Sequence, residues 1–210
     1  MIFQPSFQLL RSKVYDYLRE ELKTQTLKPG MFVTINQLSE KLGIKRTPLR
    51  DALLQLQAEG FVTFLPQRGI QINELSPQEL EDIYEVLGAL DSRALFSVFD
   101  QITPDHIQRM KNINEEMYQT VISSRVNAYF ELNMAFHNVY LDLSGNHLLL
   151  NQLNILRQRL FEFGMKGEWI EKVRELNYTE HLKLIELIEQ GDAKRVSDFI
   201  RDTHCAINWE

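Results

Sequence analysis

A single cysteine, Cys205, in a chain of 210 residues excludes an intrachain disulfide framework and fits a reducing compartment. No apolar run approaches the ~20 residues that a membrane-spanning helix needs, so no membrane association is expected. The opening M-I-F-Q-P-S-F lacks the basic stretch and long apolar stretch of a secretory signal, which makes the cytoplasm the expected location. Neither a nucleophile elbow nor a glycine-rich phosphate loop occurs, so catalysis finds no recognisable nucleophile or general base. Residues 77–210 show no strand signals and no internal repeat. Histidine is scarce, with five residues, which makes their placement informative. Positive charge is short as well: the net charge is −6, which alone argues against a polyanion as partner. The charge is unevenly spread, however. Residues 1–73 hold 10 Lys/Arg against 6 Asp/Glu, a net of +4, whereas residues 74–210 hold 13 against 23, a net of −10.

The basic part is organised around G-I-K-R-T-P-L-R-D-A-L-L-Q-L-Q-A-E-G, residues 43–60. Thr47-Pro48 reads as a helix start, with threonine as cap and proline at the first helical position. Leu49, Leu53 and Leu56 form an apolar face that must be buried, and Gly60 ends the helix. Lys45, Arg46, Thr47 and Arg50 gather cations at the positive end of that helix, which is unfavourable unless an anion such as a DNA backbone lies opposite. The alternative is an ordinary amphipathic helix with a solvated basic end. Upstream, Thr34-Ile35-Asn36-Gln37 is a capping box opening a short helix that Gly43 stops, giving helix, tight turn, helix. Downstream, Phe61 to Leu65 and Ile70 to Ile72 read as two strands around the turn Pro66-Gln67-Arg68-Gly69. With a first helix from Phe7 to about Thr24, this is a winged helix of about 70 residues.

P-G-M-F-V-T-I-N-Q-L-S-E-K-L-G-I-K-R-T-P-L-R-D-A-L-L-Q-L-Q-A-E-G-F-V-T-F-L-P-Q-R-G resembles the N-terminal domain of GntR-type bacterial transcription regulators. The likeness spans residues 7–73. It implies double-stranded DNA as partner, with contacts from Asn36, from Lys45, Arg46, Thr47 and Arg50 at the recognition helix, and from Gln67, Arg68 and Gly69 in the wing. Lys45 stands where a serine is common, and Asn36 where a glutamate or arginine often sits. Both departures bear on which operator is read.

Residues 74–76 read as a short linker, and residues 77–210 as an all-α bundle of six helices, or seven. Ser76-Pro77-Gln78-Glu79 is a capped start, and Leu80, Ile83, Tyr84, Leu87, Leu90, Ala94 and Leu95 form its apolar stripe. Further helices are expected from Thr103-Pro104, from near Ser124 to about Leu143, after Ser144-Gly145-Asn146, up to Gln190, and from Gly191-Asp192 to about Ile207. Asn133 and His137 lie four apart and share one helix face. His181 and His204 fall on two other helices. Converging, three imidazoles and an amide oxygen make a site for Zn²⁺ or Ni²⁺ with room for an added ligand. Spacing alone leaves open that each is a core or surface residue satisfied by a hydrogen bond.

N-M-A-F-H-N-V-Y-L-D-L-S-G-N, Y-T-E-H-L-K-L-I-E-L-I-E-Q-G-D and F-I-R-D-T-H resemble the FCD ligand-binding domain of the FadR branch of GntR regulators. That likeness implies a divalent metal on His137, His181 and His204, together with a small carboxylate effector. Asn133 occupies the place where the pattern has aspartate, which removes a charge that would offset the dication. Its other reading is a hydrogen bond orienting His137. Six helices place the chain nearer the VanR-like members. Arg93, Arg157 and Arg159 are the candidate cations for the effector. The expectation is a mostly α protein acting as a homodimeric repressor on a pseudo-palindromic operator and responding to an organic or sugar acid. Two alternatives stand beside it: a regulator for which the metal is itself the signal, and a metal-dependent enzyme fused to a DNA-binding domain.

Overall fold

The computed structural model describes residues 7–24, 26–122, 126–164 and 168–206. The chain divides into two compact units between Ser76 and Pro77, with Glu162–Gly164 counted in the first. In the first unit, α1 (Phe7–Lys23), β1 (Phe32–Val33), α2 (Ile35–Leu42) and α3 (Arg46–Ala58) precede β2 (Val62–Leu65) and β3 (Gly69–Ile72). The capping box of α2 forms as the sequence predicts: the Gln37 N–H donates to Thr34 Oγ1 at 3.2 Å, and the Thr34 N–H to Gln37 Oε1 at 2.9 Å. Gly43 ends α2 in the left-handed region, with a φ of 64°. Lys13 Nζ donates to the free Leu42 carbonyl at 3.2 Å.

The start of α3 differs from expectation. Lys45 is the N-cap residue and makes no side-chain cap bond, so Thr47 and Pro48 are the second and third helical residues. Proline still costs nothing there, because the first N–H groups of a helix have no intrahelical acceptor. Thr47 is consequently exposed and is not engaged as the cap. Leu49, Leu53 and Leu56 are fully buried, and α3 packs on α1, whose Val14 and Leu18 are buried too. An Arg11–Glu59 ion pair at 2.8 Å ties α1 to the end of α3.

The wing is antiparallel, with Val62 opposite Ile72 and Leu65 opposite Gly69. A third strand, absent from the sequence reading, completes it: β1 pairs along the other edge of β3, with Phe32 opposite Gln71. Two residues are too few to show alternation, so periodicity could not reveal them. Gly69 is required at this edge. Its φ is 107°, and a Cβ there would lie 2.4 Å from the Val33 carbonyl oxygen.

The second unit is helical throughout its described residues: α4 (Pro77–Val98), α5 (Pro104–Ile122), α6 (Val126–Leu141), α7 (His147–Arg159), α8 (Glu168–Glu189) and α9 (Ala193–Phe199). That is six helices, the lower of the two expected numbers. The start foreseen near Ser124 lies outside the described residues. A 3₁₀ turn, Phe99–Gln101, follows α4, and π turns follow α7 (Leu160–Gly164) and α9 (Ile200–His204). Asn146 and Asp192 cap α7 and α9 through their side chains. No described helix is long and apolar enough to cross a membrane. The core is aliphatic and aromatic, with Leu95, Met110, Met117, Phe136 and Leu184 fully buried. Asp91, Asn114, His137, His181 and His204 are buried within it, and polar groups are costly there unless each finds a partner.

Candidate functional site

At the first unit's exposed face, Lys45, Arg46, Thr47 and Arg50 all face solvent, and the first turn of α3 carries no acidic residue. The cations therefore remain uncompensated at the positive helix end, ready for an anion. A concave region of about 680 Å³ lies beside them, lined by Asn36, Arg50, Phe64, Gln67 and Arg68. The two arginines are held on aromatic faces: Arg50 lies 5.8 Å from the Phe64 ring centre and Arg68 lies 5.7 Å from that of Phe32. Pro66 followed by Gln67, at a φ of 61°, is the pattern of a type II turn. A glutamine held in the left-handed region at a loop tip carries backbone strain, a feature that concentrates at functional sites. Phe32 and Phe64 were missed in the sequence, because a strand phenylalanine reads as core until the sheet is seen.

The second site lies inside the helical unit. His137, His181 and His204 come from α6, α8 and the π turn after α9, and one ring nitrogen of each lies within 4.8 Å of the others. Each ring's opposite nitrogen is engaged. His181 Nδ1 lies 3.1 Å from Asn114 Oδ1, and Asn114 Nδ2 donates to the Tyr178 carbonyl at 3.2 Å, which fixes the amide so that its oxygen faces the ring. His204 Nδ1 lies 2.8 Å from Glu180 Oε2. His137 Nδ1 lies 2.7 Å from Tyr140 Oη, whose hydroxyl donates to Asp91 Oδ1 at 2.6 Å, and 3.2 Å from Asp91 Oδ2. With protons on all three Nδ1 atoms, the three Nε2 lone pairs turn toward a common point.

The Nε2 atoms of His137 and His204 are only 3.2 Å apart. His181 Nε2 and Asn133 Oδ1 are buried without a hydrogen-bond partner. Orphaned acceptors of this kind are rare in interiors and ask for an explanation. Burial, joined by Arg157, lowers His137 to a pKa of about 4, and burial with the neighbouring histidines lowers His181 well below its usual value. Both rings are therefore neutral at pH 7, the state a metal requires. His181 is also stacked flat on Phe136, with centres 3.7 Å apart.

Asp91 is the anchor behind His137. Burial would raise its pKa, but Arg157, His137 and two hydrogen bonds hold the carboxyl well below the usual range. Arg157 Nη2 pairs with Asp91 Oδ2 directly. A cavity of about 70 Å³ opens beside this group, and Tyr84, Asn133, His137, Arg157, Asn177 and His204 are among the residues that line it. Of the three arginines singled out in the sequence, Arg157 lines it. Arg93 is exposed over the Phe96 ring at 5.7 Å, and Arg159 is half-buried near Glu79, so neither borders the cavity. Asp91 had no signal, since a carboxylate in a stripe of leucines looks like a helix-surface residue. Gly88 lets the segment that carries His204 approach α4: a Cβ there would meet Cys205 Cβ at 3.0 Å and the Arg201 carbonyl oxygen at 3.1 Å.

Two family descriptions match the chain: bacterial regulatory proteins of the gntR family over residues 10–72, and the FCD domain over residues 82–203. An HTH-type transcriptional regulator in the TAR-I ttuE-ttuC' intergenic region of Agrobacterium vitis is 39% identical over 83 residues, 40% of this chain and 48% of that protein. The chain thus spans about half the length of that relative. The regulator YdhC of Bacillus subtilis is 24% identical over 89% of this chain and 84% of its own. Among solved structures, E. coli McbR/YncC superposes with a TM-score of 0.71 at 21% identity, covering 93% of this chain and 91% of that one. These families and relatives are transcription regulators, not enzymes.

Proposed function

The chain belongs to the gntR family of bacterial regulatory proteins, as a DNA-binding transcription regulator with an FCD domain, and from that premise we propose a repressor whose operator binding is set by a small organic or sugar acid held with a divalent metal in the helical unit. The convergence of three histidine Nε2 atoms, each ring fixed from behind, carries the reading. Zn²⁺ or Ni²⁺ suits three imidazoles and an amide oxygen. Such an ion would explain both orphaned acceptors and the approach of two Nε2 atoms. His137, His181 and His204 would hold it, with Asn133 as fourth donor. The ion would supply Lewis acidity toward a carboxylate entering the cavity. Asp91 and Glu180 orient His137 and His204 and raise their basicity, and Arg157 presents a cation at the cavity wall. The six helices among the described residues of this unit support a place near the VanR-like group.

Two copies pairing about a two-fold axis would present two α3 tips to two half-sites of a pseudo-palindromic operator. Arg46 and Arg50 are suited to guanine edges or phosphates, and Arg68 to the adjacent backbone. Val86 and Phe96, both exposed on α4, are apolar surface that a second copy could cover. Action would be in the cytoplasm. The alternative in which the ion itself is the signal differs in one observable, release from the operator by metal with no acid present.

The test is a thermal-shift measurement on chelator-treated protein with zinc or nickel, paired with elemental analysis. Metal at a hundred times its dissociation constant stabilises the folded form by about 2.7 kcal/mol. Wild type should gain stability and carry metal, and His181→Ala and His204→Gln should lose both effects. No bound metal in the wild type would refute the site.

A further inference from the structure

Resting on the reading of Arg68 as a DNA contact, we propose that Phe32 of β1 is a positioning residue for operator binding, an aromatic shelf that keeps the wing-turn arginine in place for the duplex. β1 has two residues, and their side chains have opposite fates: Val33 is 7% exposed and joins the core, whereas Phe32 is 51% exposed. The Phe32 ring centre lies 5.7 Å from the guanidinium carbon of Arg68, inside the ~6 Å at which a ring face attracts a cation. An arginine held in this way keeps its capacity to bind. Stacking uses the flat face of the guanidinium, and its N–H donors lie in the plane, where they can still meet phosphate or base oxygens. A carboxylate would hold the same side chain by occupying those donors and cancelling the charge. Among the described residues, Arg68 forms no ion pair.

The backbone gives the shelf a fixed place. Phe32 pairs opposite Gln71 and Val33 opposite Ile70, so β1 is bonded along β3. Pro66, Gln67 and Arg68 are all that separates β2 from β3, so Arg68 sits one residue from the paired strand. Gly69, the residue after Arg68, lies against the residues after Phe32: a Cβ on it would meet the Val33 carbonyl oxygen at 2.4 Å and Thr34 Cα at 2.8 Å. Ring and guanidinium are thus carried on adjoining stretches of backbone in close contact. Arg50 lies over the Phe64 ring in the same manner, at 5.8 Å, and both arginines line the concave region of the first unit. Ordering a long side chain before the duplex arrives lowers the entropy lost on binding, so a ring that touches no DNA can still add affinity.

The experiment measures binding of the full chain to a duplex selected from random sequences, by fluorescence anisotropy at several salt concentrations. The thermal midpoint of each variant is read by circular dichroism. Phe32→Leu keeps an apolar side chain and removes the ring. It should weaken binding about two- to fivefold, the size of a cation–ring attraction at an exposed site. Arg68→Gln should weaken binding and reduce the salt slope by about one. In the Arg68→Gln background, Phe32→Leu should have no further effect, because the ring acts through the arginine. Phe32→Trp, which offers a cation a better face, should bind at least as tightly as wild type. Phe32→Leu that binds like wild type overturns the inference and leaves the Arg68 contact standing. A loss of equal size in both backgrounds overturns it too, since Phe32 would then act on its own. Should Phe32→Leu melt lower than wild type, Phe32→Trp decides: weaker binding by that variant at an unchanged midpoint overturns the inference. Arg68→Gln that binds like wild type overturns both this inference and the Arg68 contact.

Discussion

Replacing Asp91 by asparagine keeps the size of the side chain and removes one charge from the centre of the helical unit. Asp91 is 1% exposed and serves three partners at once: Arg157, the Tyr140 hydroxyl and His137 Nδ1. The substitution leaves Arg157, whose side chain is only 13% exposed, without its counter-charge. Breaking one side of a buried pair typically costs about 3–5 kcal/mol, because the surviving charge keeps its desolvation penalty. For a chain of 150–250 residues each kcal/mol shifts the melting temperature by roughly 2–4 °C, so Asp91→Asn should lower it by about 6–20 °C. The assay is helical circular dichroism against temperature on metal-free protein. The double variant Asp91→Asn with Arg157→Met removes both charges and should recover more than half of the loss, since an apolar replacement for a buried pair is often neutral or better. The double-mutant cycle isolates the pairwise coupling. A single variant that melts within about 3 °C of wild type, or a double variant no more stable than the single one, would refute the buried-pair account.

Arg46→Ala, at an exposed position, should leave the fold intact and weaken operator binding by about 1–3 kcal/mol, read by fluorescence anisotropy on a selected duplex. Unchanged affinity would remove Arg46 from the contact face. Gly69→Ala should disrupt the wing, because its φ of 107° and the Val33 oxygen at 2.4 Å both oppose a Cβ; strain of about 1–3 kcal/mol should appear as lower stability and weaker DNA binding together. The metal-free protein should lose stability from pH 7.5 to pH 5. His137 titrates at about 4 when folded but near ~6.5 when unfolded, so the unfolded chain binds more protons across that window. Stability is full above the unfolded value and falls as pH drops toward the folded one, by about 2 kcal/mol at pH 5 from His137 alone. A urea midpoint equal or higher at pH 5 would contradict this.

The first unit was largely legible because its signals are local. The capping box at Thr34, the left-handed Gly43 and the leucine face of α3 each depend on residues within a few positions. The errors there are also local in kind: the cap of α3 falls on Lys45 because no side-chain bond decides it, and β1 is too short for a pattern. The histidines were legible as candidates but not as a cluster, since nothing in their spacing says that α6, α8 and the turn after α9 converge. Two features of the site had no sequence signal at all. One is the π turn Ile200–His204, a change in helical winding that carries His204 to its neighbours. The other is the role of Asp91 and Arg157, which pair across 66 positions and depend on how α4 and α7 pack. Arg93 and Arg159, read along their helices, looked as suitable as Arg157 until the cavity was seen.

The claim on which the rest depends is that occupancy of the histidine site alters DNA binding. A duplex selected from random sequences by the full chain allows it to be tested in one titration: operator affinity of chelator-treated protein against the same protein with zinc and a panel of small organic acids. The account predicts that at least one acid, with zinc present, shifts affinity by about 5–150-fold, the size of an ordinary coupling between sites, and that His204→Gln abolishes the shift. Equal affinity across the whole panel in protein shown to carry zinc would contradict it.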